Sequence, residues 1–338
     1  MARPVALFTL ALPEPAPTLV AEVAEVRVLG RVPPTPELCA ELRRGVDVLC
    51  PQLRDPVTSE VLDAGLPRLR AVCTYAVGFD NVDVSAATAR GIAVGNTPGV
   101  LTDATADCTL ALLLAAARRI CEGDREVRAG GWTGWEPQHL LGLELRDSLL
   151  GIVGFGRIGQ AVARRALAFG MRVAYAAAAA PPPIAPDLAT AVTRASLDDL
   201  LTAADVLSLH VPLTPATRHL IDGAALRRMK PTAVLVNTSR GSVVDEAALV
   251  IALRERWIAA AGLDVYENEP ALSPGLGELP NVVVAPHLGS ATVRTRAAMA
   301  ELVARNVRAA LAGEPLPRWV NPDAWAAGPP AALVEAPA

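Results

Sequence analysis

Ser148-Leu149-Leu150-Gly151-Ile152-Val153-Gly154-Phe155-Gly156-Arg157-Ile158-Gly159 is the stretch that decides the fold. Its first half is a mostly apolar run that reads as a fully buried strand. The glycine-punctuated half leads into an Ala-, Leu- and Arg-rich helical pattern, Gln160 to Phe169, closed by Gly170 and followed by a second strand, Met171–Tyr175. Strand, G-x-G-x-x-G, helix and strand within about thirty residues is the context in which these glycines mark a dinucleotide site. Gly154 permits a tight turn, Gly156 lets a pyrophosphate approach the backbone, and Gly159 lets helix and strand pack closely. The helix start adds unpaired N–H groups and a partial positive charge. Gly154, Gly156, Arg157, Ile158 and Gly159 are therefore the first candidate cofactor residues.

One expected part is missing. A carboxylate about twenty residues into such a unit holds the adenosine ribose 2′-hydroxyl. Here that position reads Ala176-Ala177-Ala178-Ala179-Ala180-Pro181-Pro182-Pro183, with no Asp or Glu between Asp147 and Asp187 and no Arg or Lys between Arg172 and Arg194. The residues at Ala177 and Ala178 thus leave NAD against NADP open. The absence of a carboxylate removes repulsion of a 2′-phosphate, which inclines the reading towards NADP.

At 338 residues the chain is long enough for two domains. A net charge of −4, from 31 basic and 35 acidic side chains, offers no basic stripe for nucleic acid. Cys39, Cys50, Cys73, Cys108 and Cys121 have no C-x-x-C or Cys/His ligand spacing, so no metal site is expected and they read as reduced, mostly buried thiols of a cytoplasmic protein. Val5–Leu12 is too brief for a signal peptide and reads as a first core strand. No segment reads as a membrane span: Leu110–Ala117 is too short, and the uncharged stretch from Val173 is interrupted by prolines.

Along the first hundred residues, short apolar strands (Val5–Leu10, Val26–Leu29, Val46–Leu49, Ala71–Thr74, Ile92–Gly95) alternate with helical patches such as Thr35–Arg43 and Ser59–Gly65. Thr35 is expected as the N-cap of the first patch, with Pro36 at its first position. Such alternation predicts a parallel, doubly wound sheet. A long helix is expected from Thr102 to about Arg128, with Ala106, Leu110, Leu113, Leu114, Ala117 and Ile120 forming a core or subunit-contact stripe. Gly130-Gly131-Trp132-Thr133-Gly134-Trp135 ends it. A final helix is expected from Ala291 to about Ala312, and the Pro-, Ala- and Gly-rich tail, 323–338, reads as loose.

After the central unit, four strands end in polar loops. Val206–Leu209 leads to His210-Val211-Pro212, and Ala233–Asn237 to Thr238-Ser239-Arg240. Ala259–Leu263 leads to Asp264 and Glu269, and Val282–Ala285 to His287-Leu288-Gly289. Ligands of open parallel sheets bind at the carboxyl ends of strands. Beside a nucleotide motif these residues suit hydride chemistry on a ketone. Histidine is the side-chain type suited to proton exchange near neutral pH, so His287 can donate the proton, Glu269 can hold its other ring nitrogen, and Arg240 offers a planar, permanent cation to the carbonyl and carboxylate of a 2-oxo acid. Tyr75-Ala76-Val77-Gly78 is a strand-end loop whose N–H groups at Val77 and Gly78 could receive a carboxylate.

At these residues the sequence resembles the D-isomer-specific 2-hydroxyacid dehydrogenases over about residues 3 to 322, and within them the glyoxylate/hydroxypyruvate reductase branch. The matching stretches are Ala76–Asn81, Gly154–Gly159, Asn237–Glu246, Gly262–Tyr266 with Glu269-Pro270, and Pro286–Thr292. The resemblance implies an α/β protein of two Rossmann-like, doubly wound domains, the nucleotide domain (102–290) inserted in a substrate domain (1–101 and 291–322). It implies Arg240, Glu269 and His287 as the catalytic residues, and reduction of glyoxylate or hydroxypyruvate with NAD(P)H. It implies Val211, Pro212, Thr238, Ser239, Asp264 and Gly289 in the cofactor cleft, Asp264 on the nicotinamide carboxamide. Substrate would meet Leu53, Val77, Gly78, Arg240 and His287. A homodimer through the 102–128 helix region is also implied, with Trp132 or Trp135 reaching the neighbouring subunit's site. The alanine run departs from the branch, whose NADPH users usually carry Arg or Ser/Asn there and whose NAD users carry Asp.

Other substrates stay open on sequence alone: 2-ketogluconate, phenylpyruvate, and phosphite, the last disfavoured by the apolar surroundings of Leu53 and the lack of Lys beside Gly78. A nucleotide-sensing, corepressor-like binding protein is the reading from a different class.

Overall fold

The computed structural model describes residues 3–177, 183–326 and 328. The chain forms two compact units, Met1–Leu101 with Thr292–Ala338, and Thr102–Ala291. In chain order the first contains β1 (Val5–Phe8), α1 (Ala16–Ala21), β2 (Glu25–Val28), α2 (Thr35–Arg43), β3 (Val48–Cys50), α3 (Ser59–Gly65), β4 (Ala71–Cys73), α4 (Val84–Ala89) and β5 (Ala93–Gly95). The second contains α5 (Thr102–Ala117), α6 (Ile120–Arg128), β6 (Leu149–Val153), α7 (Arg157–Ala168), β7 (Arg172–Ala176), β8 (Val192–Arg194), α8 (Leu197–Ala203) and β9 (Val206–Leu209). It continues through α9 (Gly223–Arg228), β10 (Val234–Asn237), α10 (Glu246–Arg254), β11 (Ala260–Leu263) and β12 (Val282–Val284), and α11 (Val293–Ala312) belongs again to the first unit.

Both sheets are parallel. The smaller runs β2-β1-β3-β4-β5 and the larger β12-β11-β10-β9-β6-β7-β8. Strands covered on both faces must be apolar throughout, and β9, β10 and β11 are buried along their whole length. In the larger sheet the winding reverses between β6 and β9, so the crevice for a ligand opens beyond their carboxyl ends. Side-chain caps fix where several helices begin: Asp222 accepts from Ala225 N–H, Asp245 from Ala248 N–H and Thr292 from Thr295 N–H.

Four expectations need correction. Thr35 is not the N-cap of α2, since Pro34 occupies that position and the helix begins at Thr35. The helix expected over 102–128 is two helices, broken at Arg119, which sits at φ 52°. The cause is tertiary: Leu143 N–H takes the Ala117 carbonyl at 2.8 Å, ending α5, and Ile120 emerges 59% exposed instead of joining the core. The helix after the glycine motif starts at Arg157 rather than Gln160. Finally, the tail is not loose from 323 onward. Trp325 is buried, stacks edge-on against Trp319 with centroids 5.1 Å apart, and donates its indole N–H to Gly91 O at 2.9 Å. The tail residues 327 and 329–338 lie outside the described residues.

Candidate active site

The glycine turn follows β6 directly. Gly154 sits at φ 95°, and a Cβ there would come within 2.6 Å of the His210 carbonyl group and 2.9 Å of Val211 Cγ1. The turns after β6 and β9 therefore meet at the reversal point, which brings Val211 beside the motif. A side chain at Gly159 would run into the Gly154 carbonyl, so only glycine lets α7 start this close to β6. Gly156 differs: nothing lies within 4 Å of the place a Cβ would take, and α7 has no side-chain cap. Open space over a glycine and an uncapped, inward-starting helix fit the pyrophosphate of a dinucleotide. Arg157 is exposed, and Ile158 and Ala177 are half-buried. Ala178 lies outside the described residues.

Gln160, which the sequence did not single out, ties this region together. Its Nε2 donates to Phe155 O and to Pro183 O at 3.1 Å, and its Oε1 accepts from Ala185 N–H at 3.0 Å, so the chain leaving the alanine run is fastened to α7.

Beyond β10, the buried Asn237 shapes the loop that carries Arg240. Its Oδ1 accepts from Ser239 N–H at 3.0 Å and Ser239 Oγ at 2.8 Å, and its Nδ2 donates to Arg240 O at 2.9 Å. Thr238 Oγ1 lies 2.9 Å from Thr109 Oγ1 on α5. Arg240 Nη1 donates to Ser239 O at 2.8 Å.

Beyond β11 and β12, Glu269 and His287 meet. His287 Nδ1 lies 3.0 Å from Glu269 Oε2, while Glu269 Oε1 accepts from Tyr266 N–H at 3.1 Å. Burial alone would raise the Glu269 carboxyl, but the His287 hydrogen bond and charge, the Tyr266 N–H and the Arg240 charge outweigh it and hold it below the usual carboxylate range. An ionised carboxylate only accepts, so Nδ1 carries the hydrogen and Nε2 becomes the nitrogen available for chemistry. No hydrogen bond among the described residues engages Nε2.

His287 sits at φ 57°, a conformation uncommon for a residue with a Cβ. Asp264 over-determines it. The Asp264 carbonyl accepts from His287 N–H at 3.0 Å, Oδ1 from Leu288 N–H at 2.6 Å and Oδ2 from Gly289 N–H at 2.7 Å. Asp264 is 1% exposed, and burial pushes its carboxyl above the usual range against those two N–H donors. Two N–H bonds leave lone pairs on this carboxylate.

Leu53, Val77 and Gly78 belong to the first unit. Asn96 Nδ2 donates to Val77 O at 2.8 Å, and the N–H groups of Val77 and Gly78 have no acceptor among the described residues. Asn81 Nδ2 donates to Gln52 O at 2.9 Å and Asp55 O at 2.8 Å, fastening the loop around Leu53 to the loop around Val77. Trp132 and Trp135 are 54% and 83% exposed.

The profile described as D-isomer specific 2-hydroxyacid dehydrogenase, NAD binding domain, matches residues 110–289. A glyoxylate reductase of Thermococcus litoralis is 47% identical over 334 residues, covering 97% of this chain and 100% of its own. One of Thermococcus kodakarensis is 50% identical over 324 residues, covering 94% and 96%. Among solved structures, an NADPH-dependent glyoxylate/hydroxypyruvate reductase of Sinorhizobium meliloti, in complex with NADP and malonate, superposes with a TM-score of 0.84 at 37% identity over 96% of this chain and 98% of that one. The fold and site define an oxidoreductase that uses a nicotinamide dinucleotide. The chain belongs to the D-isomer specific 2-hydroxyacid dehydrogenase family.

Proposed function

We propose that the protein reduces glyoxylate and hydroxypyruvate to their D-2-hydroxy acids, with NADP(H) used at least as well as NAD(H). The observation that carries this is the 3.0 Å Glu269–His287 pair, held on strand-end loops in the same unit as an open glycine turn. The bound cofactor supplies a hydride for the carbonyl carbon. His287 Nε2 gives its proton to the carbonyl oxygen, which takes up the electron pair of the broken π bond. Glu269 stabilises the imidazolium beforehand and keeps the ring oriented afterwards. Arg240 polarises the carbonyl and binds the substrate carboxylate. Leu53 and the N–H groups of Val77 and Gly78 complete substrate recognition. The glycine turn with Arg157 and Ile158 receives the pyrophosphate, and Val211, Pro212, Thr238, Ser239 and Gly289 line the cofactor. Asp264 uses its remaining lone pairs on the carboxamide.

The preference for NADP rests on the lack of any carboxylate between Asp147 and Asp187. A homodimer through α5 and α6 is supported by exposed apolar side chains at Ile120, Val127, Trp132 and Trp135. Either Trp132 or Trp135 then serves the neighbouring subunit's site. Initial rates with both 2-oxo acids, each with NADPH and NADH, test the reading. Turnover of glyoxylate is expected, and nucleotide binding without turnover of either acid would overturn it.

A further inference from the structure

Glu246 opens α10, yet it does not cap that helix, because Asp245 already accepts from Ala248 N–H at 2.9 Å. Its carboxylate turns inward and is 3% exposed. Oε2 accepts from Glu267 N–H at 2.7 Å, and Oε1 accepts from Ser273 N–H at 2.7 Å. Among the described residues no salt bridge reaches it. A buried carboxylate is costly unless its oxygens are satisfied, and here two backbone N–H groups satisfy them.

Those two N–H groups bracket Glu269. The segment between Glu267 and Ser273 belongs to no helix or sheet; Ala271 N–H closes a turn onto Asn268 O at 2.9 Å around Glu269, and the ends of that turn must be fixed by something other than a ladder. Gly241, next to Arg240, packs directly on the Tyr266 carbonyl. His219 Nε2 lies 2.6 Å from Glu267 Oε1 and Arg218 adds a contact at 2.9 Å, but the Arg218 side chain is more than half exposed and screened. Glu246 is the buried brace, and it grips both ends of the segment at once.

We propose that Glu246 is a positioning residue for Glu269, holding its carboxylate at His287 Nδ1 without touching the reacting atoms. The inference rests on the reading of Glu269 and His287 as the proton-handling pair. Loosening either bracket lets Glu269 withdraw from the ring, and a displacement well under 1 Å weakens a charge-assisted hydrogen bond.

The test is a double-mutant cycle of Glu246→Gln and Glu269→Gln in the full-length protein. Gln keeps the volume of Glu246 but sets an amide NH2 against one of the two backbone N–H groups. The expected result is a fall in kcat of roughly tenfold or more for Glu246→Gln. KM for cofactor and the dissociation constant of NADPH by fluorescence should stay near parental values, and the pH profile should follow that of Glu269→Gln. The double variant should be no slower than Glu269→Gln alone, since residues acting through one group are non-additive. Additive losses, or a loss carried by cofactor affinity, would overturn the positioning role. Unchanged turnover in Glu269→Gln would sink the catalytic reading itself, and with it any role in positioning that group. If Glu246→Gln does not fold, Glu246→Asp, which keeps the charge but shortens the reach, runs the same cycle.

Discussion

Glu269 Oε2 lies 3.0 Å from His287 Nδ1, and the residue that presents the ring adopts a left-handed backbone conformation at φ 57°. The pair is thus built by two separate loops, one supplying charge and the other orientation. Replacing His287 with Ala removes the proposed proton donor and should lower kcat by about two to four orders of magnitude, with NADPH affinity nearly unchanged. Glu269→Gln should cost about ten- to a hundredfold in kcat, because the imidazolium no longer faces an anion. Steady-state rates across pH check both. Full activity in His287→Ala would assign the proton to another group.

Two glycines that look alike in sequence should behave oppositely. A methyl at Gly241 collides with the Tyr266 carbonyl and the backbone that follows, whereas a methyl at Gly156 meets nothing within 4 Å. Gly241→Ala should therefore lower stability by about 3 kcal/mol through overpacking, and with it kcat. Gly156→Ala should keep the parental thermal midpoint yet weaken NADPH by about tenfold or more, since the methyl occupies the approach of the pyrophosphate. Thermal unfolding and fluorescence titration of the two variants separate the cases. A destabilised Gly156→Ala with intact cofactor affinity would contradict the open-turn assignment.

What the sequence disclosed, and what it hid, follows from the range of the interactions. The strand runs around Val206, Val234 and Ala260 were legible because burial on both faces demands unbroken apolar residues. The turn at Gly154 and the close packing at Gly159 were legible because a turn restricts backbone geometry at fixed spacing. Glu246 closes the matching stretch Asn237–Glu246, but its bracing contacts were hidden because its partners are 21 and 27 residues away and are backbone N–H groups, which have no residue signature. Asp264 drew notice as a strand-end acid and, through the resemblance, as a partner of the nicotinamide carboxamide; its grip on Leu288 and Gly289 was hidden because it is equally long-range. The break at Arg119 left no stop signal in a helix-forming stretch, since Leu143 imposes it from outside. β8, Val192-Thr193-Arg194, was too short and polar to stand out; it is recruited as an edge strand by β7.

Cofactor choice should be adjustable at the end of β7. Ala177 is half-buried and follows the strand directly, where a side chain can reach the adenosine end of a dinucleotide. Ala177→Arg places a guanidinium there, and a charge-assisted bond to the 2′-phosphate should tighten NADPH by about ten- to a hundredfold while leaving NADH little changed. The ratio of kcat/KM for NADPH to that for NADH is the readout. An unmoved ratio would place specificity elsewhere on the chain.

Acid sensitivity should trace in part to His210. The ring follows β9, its Nε2 lies 2.8 Å from Ser208 Oγ, and burial pushes its pKa down to about 4. In the unfolded chain the same group titrates near about 6.5. Between those values the unfolded state binds a proton that the native state refuses, so stability falls as pH drops from about 6.5 towards about 4 and is fully retained above that window. His210→Gln keeps a polar atom within reach of Ser208 but cannot be protonated. It should shrink the stability difference between about pH 7.5 and about pH 4.5 by about 2 kcal/mol, even if the variant starts from a lower midpoint. Urea midpoints of both proteins at the two pH values decide this. An equal acid loss in both would move the effect to the carboxylates that are held ionised in the native state, Glu269 among them.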